Sequence, residues 1–80
     1  MPIPDVRFSA LRRGDHVEVV GFGAMPDQYR NRLLSLGLTP GTRFRVERRA
    51  PLGDPVEISV RGFRLSLRQN EAAELRVQRL

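Results

Sequence analysis

The strongest constraint on the fold of this chain is a run of leucines that ends at a glycine. Tyr29, Leu33 and Leu36 recur at i, i+4 and i+7, the spacing that places side chains on one face of a helix. Pro26 stands where the first turn of such a helix accepts a proline. The pattern predicts a short amphipathic helix from about residue 26 to residue 36.

The residues after this helix predict how it ends. Gly37 can adopt the left-handed conformation, which would bring Leu38 against Leu33 in a Schellman cap. Pro40 and Gly41 suit the two central positions of a type II turn, after which a strand should begin. Structural roles are therefore assigned to Leu33, Leu36, Gly37, Pro40 and Gly41.

Apolar and polar residues alternate in five other segments, each of which predicts a short strand. These segments are residues 16–20, 43–47, 56–60, 63–68 and 75–77. Either Arg61-Gly62 or Gly62-Phe63 would serve as a two-residue turn between the third and fourth strands, and the two choices give different registers. Asn70 is expected to cap a single helical turn before the last strand.

Eighty residues can bury one compact cluster, and strands that close on themselves expose the fewest edges. We therefore expect a mainly β fold, a small SH3-like barrel of about five strands with one short α-helix between strands one and two. Residues 1–80 form one domain in this prediction, with residues 1–10 as a loose lead-in. The predicted core consists of Val17, Val19, Leu33, Leu36, Leu38, Phe44, Val46, Val56, Ile58, Val60, Phe63, Leu65, Leu67, Ala72, Leu75 and Val77.

The reactive side chains argue against an enzyme. His16 is the only histidine, cysteine is absent, and the nine carboxylates are scattered, so neither a nucleophile with its base nor a metal site is expected. Gly21-Phe22-Gly23 has only a faint similarity to a dinucleotide fingerprint, because the third glycine is missing. No apolar run is long enough to span a membrane. The sequence predicts a soluble cytoplasmic protein without a cofactor.

The net charge of +5 leaves nucleic acid open as a partner, since a basic excess favours anionic partners in general. Glu47 and Glu57 interrupt the basic outer face, and Phe44 and Phe63 alternate inward where they could not stack on bases. Nucleic-acid binding is kept as an alternative. The arginines that would carry it are Arg43, Arg45, Arg61, Arg64 and Arg68.

Three motifs closely resemble the FeoA family of bacterial ferrous-iron transport, and the match runs from about Leu11 to Val77. The motifs are RLLSLGLTPG at residues 32–41, APLGDP at residues 50–55, and LSLR with a following EA within residues 65–72. The resemblance implies a small cytoplasmic SH3-like domain that acts with FeoB, a membrane GTPase and iron permease. The same module also resembles the C-terminal domain of iron-dependent repressors, although no helix-turn-helix or metal-ligand set accompanies it here.

The interpretation is a non-enzymatic accessory protein that binds the cytoplasmic part of FeoB and reaches the inner membrane only through that partner. Candidate contacts are side chains that the predicted fold leaves exposed. Met25, Arg30 and Leu34 lie on or near the helix, and Pro51 and Leu52 lie at the tip of a loop.

Overall fold

A computed structural model describes residues 4–80, which form an antiparallel sheet with two α-helices and one short 3-10 helix. The strands are β1 (Val6–Arg7), β2 (His16–Gly21), β3 (Arg43–Arg49), β4 (Val56–Val60), β5 (Phe63–Leu67) and β6 (Arg76–Arg79). The α-helices are α1 (Asp27–Ser35) and α2 (Gln69–Ala72), and the 3-10 helix is Phe8–Ala10.

The six strands lie in the order β1-β6-β2-β3-β4-β5, and each neighbouring pair is antiparallel. The register shifts once between β2 and β6 and once between β3 and β4, and such bulges bend a sheet. The mainly β fold with a helix between the first two predicted strands is confirmed. Within residues 4–80 the sheet has six strands rather than five, and no hydrogen-bonded ladder joins β1 to β5, so this sheet is not a closed barrel.

The end of α1 has the cap that the sequence predicts. Gly37 has a φ of +89°, its N–H donates to the Leu34 carbonyl at 3.0 Å, and the Leu38 N–H donates to the Leu33 carbonyl at 3.0 Å. These are the two hydrogen bonds of a Schellman motif. Leu33 and Leu38 are both fully buried, so the cap places two leucines in the core.

The predicted type II turn follows and is joined to β2. Gly41 has a φ of +91°, and the Thr42 N–H donates to the Thr39 carbonyl at 3.0 Å. The Gly41 N–H donates to Val19, and the Val19 N–H donates to Thr42, each at 2.8 Å. This turn therefore fixes where β3 begins relative to β2.

The turn that the sequence left undecided is Arg61-Gly62. Val60 pairs with Phe63, and both turn residues have positive φ, +51° for Arg61 and +81° for Gly62. Two positive φ values in a two-residue loop define a type I′ turn, whose twist matches that of the flanking strands.

The expectation of a loose lead-in is wrong for the segment from Val6 to Leu11, whereas residues 1–3 lie outside the described part of the chain. Val6 pairs with Val77, and Phe8 and Leu11 are buried in the core. The rings of Phe8 and Phe44 lie 6.1 Å apart between centroids. The segment lacks periodicity because it enters the core through a 3-10 turn rather than through a regular element.

The core also differs from the prediction at one end of β5. Phe63 is 71% exposed, and Leu36 and Leu65 are only partly buried against the core. Phe63 alternates with the buried Leu67 as predicted, but it stands beside the hairpin turn at the end of an edge strand. The predicted strand is confirmed, and the predicted burial of Phe63 is wrong.

Asn70 does not cap α2, because the helix already begins at Gln69. The Gln69 N–H donates to the Asp54 carboxylate at 2.9 Å, from the loop between β3 and β4. A carboxylate distant in sequence therefore accepts one of the N–H groups that the start of this helix leaves unpaired.

Replacing Leu33 by Ala should lower the free energy of unfolding by about 2–5 kcal/mol, because Leu33 is fully buried beneath the capped helix end. Leu34→Ala is the matched control: it truncates a neighbouring exposed leucine of α1 and should change stability by less than about 1 kcal/mol. Urea unfolding of both variants measures the difference. Equal losses would contradict the burial of Leu33.

A second pair of variants tests the role of the N-terminal segment. Phe8→Ala should cost about 3–5 kcal/mol because a buried ring is lost. Phe63→Ala should cost about 1 kcal/mol or less because that ring is mostly exposed. Thermal unfolding of the two variants should show the larger loss of stability for Phe8→Ala. A Phe8→Ala variant as stable as the wild type would instead support the expectation that the N-terminal segment is loosely attached.

Candidate partner-binding surface

The acidic and histidine side chains of the described residues do not cluster. Within residues 4–80 no group of three or more histidine, cysteine, aspartate or glutamate side chains is placed to hold a metal ion. His16 is exposed at the start of β2, and the strand register places it opposite Arg45. None of the helices in this part of the chain has the length and apolar character needed to cross a membrane.

Two of the predicted contact residues lie on α1. Leu34 is 36% exposed, and Arg30 lies four residues earlier on the same helical face. The Arg30 guanidinium pairs with Asp27 at 2.9 Å in an exposed i,i+3 ion pair. Met25 precedes the helix and is half-buried against the core. Arg30 and Leu34 thus form an accessible pair, and Met25 is only partly accessible.

The other two predicted residues lie at the tip of the loop between β3 and β4. Pro51 is exposed, and Leu52 is 97% exposed. The Gly53 N–H donates to the Ala50 carbonyl at 2.7 Å, and the Ala50 N–H donates to the Pro55 carbonyl at 3.1 Å. These hydrogen bonds close the base of the loop while Leu52 projects into solvent.

The helix α2 links the two groups of candidates. Arg32 of α1 pairs with Glu71 of α2 at 2.9 Å, and the Asp54 carboxylate of the loop accepts from the N–H of Gln69 at the start of α2. The candidates therefore belong to elements that both contact α2.

An apolar groove that the sequence pattern did not predict lies between the end of α1 and the hairpin of β4 and β5. It has a volume of about 440 Å³, and its apolar walls are Leu36, Val60, Phe63 and Leu65. Arg61 borders the groove, where its guanidinium donates to the Thr42 hydroxyl at 3.3 Å. None of the five predicted contact residues lines it. One sequence signal could have indicated the groove: Phe63 directly follows a two-residue turn. At such a position, alternation does not ensure that another element packs over the side chain.

Charges of both signs cover the outer face of β3, β4 and β5. A shallow depression of about 290 Å³ is lined by Arg13, Glu47, Arg48, Glu57 and Arg64. Arg64 pairs with Glu57 at 2.8 Å, and the Ser59 hydroxyl donates to Glu47 at 2.6 Å. The Ser59 hydrogen bond is the main reason that the pKa of Glu47 lies below its ordinary value. Desolvation, the next effect in size, raises this pKa, and the nearby Arg45, Arg64 and Arg13 each lower it.

This mixed face disfavours the nucleic-acid alternative. Two of the five arginines that would carry it are paired with glutamates: Arg43 with Glu18 at 3.1 Å, and Arg64 with Glu57. Phe44 is buried and cannot stack on a base, while the exposed Phe63 borders an apolar groove. The face therefore lacks the continuous positive stripe with interleaved aromatics that single-stranded nucleic acid requires.

A model of the FeoA domain family matches residues 6–79 of the chain. The chain belongs to the FeoA family. This confirms the resemblance that the three sequence motifs indicate.

A curated relative of this FeoA-family chain indicates the process with which the family is associated. A curated relative from Porphyromonas gingivalis is a fusion of Fe(2+) transport protein A with the Fe(2+) transporter FeoB. It is 36% identical over 76 residues, which is 91% of this chain but only 8% of the fusion protein. The family is thus associated with ferrous iron transport.

Two solved FeoA structures share the fold. The FeoA protein of Chlorobium tepidum is 43% identical with a TM-score of 0.80, and the match covers 94% of this chain and 70% of that one. The FeoA of Stenotrophomonas maltophilia, complexed with zinc, is 26% identical with a TM-score of 0.78 over 91% and 89% of the two chains. The latter is described as a procaryotic SH3 domain protein, so the predicted SH3-like fold is confirmed.

The lowered pKa of Glu47 gives a testable acid dependence for this FeoA domain. Because the pKa is lower in the folded than in the unfolded state, ionised Glu47 stabilises the fold above the unfolded-state pKa. That contribution is lost as the pH falls through the folded-state pKa. Ser59→Ala should raise the pKa of Glu47, as followed by carboxyl carbon NMR, whereas Ser66→Ala on the neighbouring strand should not. An unchanged Glu47 titration in Ser59→Ala would contradict the assigned cause.

Proposed function

We propose that this chain is a non-enzymatic accessory protein of bacterial ferrous iron uptake that binds the cytoplasmic part of FeoB and modulates it. The observation that carries the proposal is the single polypeptide of Porphyromonas gingivalis in which a related sequence is joined to FeoB. Fusion holds two domains at a high effective concentration without requiring a strong contact. Where the two are separate chains, a binding surface must provide the same proximity.

The exposed apolar side chains support a role in contact rather than in chemistry. Leu34 and Leu52 hold apolar surface in water on two elements that both contact α2. Covering one such side chain contributes about 1.5–3 kcal/mol at full burial, which is enough for a few anchors to hold a partner. Arg30 and Pro51 stand beside these leucines, and Met25 borders the start of α1.

The proposed partner also sets the proposed location. FeoB is named as an Fe(2+) transporter in the fusion relative, and a chain that binds its cytoplasmic part would reside at the inner membrane through that contact. The proposal assigns no membrane insertion to this chain. It assigns the change in the partner to a surface contact and leaves the chemistry of GTP hydrolysis with FeoB.

The direct test is binding of the purified chain to the cytoplasmic part of the FeoB from the same genome, measured by calorimetry, together with the rate of GTP hydrolysis with and without the chain. Saturable binding and an altered rate are expected. The absence of binding at high micromolar concentrations would overturn the proposed function.

The double variant Leu34→Asp with Leu52→Asp tests the assigned surface and should weaken binding by at least about tenfold, because two charges replace apolar anchors. The matched control is Val20→Asp with Leu80→Asp, which places the same charges at two other exposed apolar positions. The control should bind as the wild type does. If the Leu34 and Leu52 variant binds equally well, the function stands and this surface assignment falls.

A further inference from the structure

The strand β5 is an open edge of the sheet. It is five residues long, β4 bonds to one side of it, and no strand of residues 4–80 bonds to the other side. The opposite edge is different, because β1 spans only two residues. A long edge presents a row of unpaired backbone groups that can accept another strand.

The register shows which backbone groups of β5 face outward. The type I′ turn makes Val60 and Phe63 a hydrogen-bonded pair, and such pairs alternate along an antiparallel ladder. Phe63 and Leu65 therefore bond to β4, while the N–H and C=O groups of Arg64 and Ser66 point away from it. Among the described residues, no turn or loop backbone group bonds to Arg64 or Ser66. The edge thus offers two donors and two acceptors at the spacing of an extended peptide.

The apolar groove adjoins this edge on one face of the sheet. Phe63 and Leu65 line it from β5, and Leu36 lines it from the end of α1. A strand added beside β5 would place every second side chain next to Phe63 and Leu65. Apolar side chains at those positions would cover the ring of Phe63, which is 71% exposed.

The charges around β5 indicate which kind of strand could pair with this edge. Arg61 precedes the strand and Arg68 follows it, and neither has a carboxylate within ion-pair distance in residues 4–80. Arg64 stands on the opposite face from the groove and has Glu57 as its only paired carboxylate in that range. Two copies paired edge to edge would bring these arginines together in chains that each carry a net charge of +5. The edge therefore favours a different, acidic segment over a second copy.

We infer that the β5 edge takes an extended segment of the partner as an added strand, with apolar residues at alternate positions over the groove and acidic residues between and beyond them. Backbone hydrogen bonds to Arg64 and Ser66 pair the added strand with β5, and the apolar groove beside Phe63 favours apolar side chains in that strand. Arg61 and Arg68 bind the acidic flanks. This inference rests on the proposed function, because it adds a second contact with FeoB, at the β5 edge, to the surface around Leu34 and Leu52.

Amide hydrogen exchange of the full wild-type chain, with and without the cytoplasmic part of FeoB, tests the pairing directly. Exchange of the Arg64 and Ser66 amides should slow by about tenfold or more on binding, because new hydrogen bonds protect them. The amides of Phe63 and Leu65 already bond to β4 and should change less. This pattern of alternate protection distinguishes an added strand from a contact that merely covers the surface.

Ser66→Pro is the variant that removes one outward N–H, and edge strands accept proline where the N–H faces solvent. Ser66→Ala is the matched control because it removes the hydroxyl and keeps the N–H. Ser66→Pro should weaken FeoB binding by about tenfold, while Ser66→Ala should bind as the wild type does. Thermal unfolding reports whether Ser66→Pro remains folded, and the wild-type exchange pattern decides the question if it does not.

The outcomes separate the two proposals. Binding of FeoB with no protection of Arg64 and Ser66 overturns the strand pairing and leaves the proposed function standing. Absence of any FeoB binding overturns both. Protection of these amides that grows with the concentration of the chain alone, without FeoB, overturns the acidic partner in favour of a second copy.

Discussion

The hydrogen bond from the Leu38 N–H to the Leu33 carbonyl closes the C-terminal cap of α1 and turns the chain toward β3. It forms at 3.0 Å because Gly37 adopts a φ of +89°, a conformation that costs other residues strain. The reversal buries both leucines on the same core, and the next turn then bonds to Val19 of β2 through Gly41. A local backbone geometry at one glycine thereby sets the position of β3 beside β2. The same cap positions the apolar groove, because Leu36 and Gly37 at the end of α1 line it.

Features that depend on neighbouring residues could be predicted from the sequence. The helix, its cap, the turn at Gly41 and the alternation of Val56, Ile58 and Val60 each follow from spacing or from backbone freedom, and each appears in the structure. The candidate contacts on α1 were placeable for the same reason: a residue four positions from Arg30 shares its helical face wherever the helix packs. Leu52 was placeable because two prolines and a glycine exclude its loop from a ladder.

Features that depend on which elements meet could not be predicted in this way. Phe8 is buried because β1 pairs with β6 across almost the whole chain, and no local period reports that pairing. Phe63 has the alternation of a core residue, yet β5 is an edge strand, and within residues 4–80 no further strand pairs with β5 beside the exposed Phe63. The groove was missed for this reason. The capping of α2 by Asp54 is equally nonlocal, since only the fold brings that loop to Gln69.

An open edge beside an exposed aromatic residue is a hazard for a small protein, because identical edges can pair. Here the arginines on and around β5 oppose that pairing, since two like-charged edges repel, while a strand of opposite charge is attracted. The exposure of Phe63 lowers the stability of the fold little, because Phe8 and Phe44 are the aromatic residues of the core. In the proposed strand pairing, the partner contacts Phe63, whereas the stability of the domain depends on the buried Phe8 and Phe44. A contact surface of this kind can bind and release a partner strand without loosening the core.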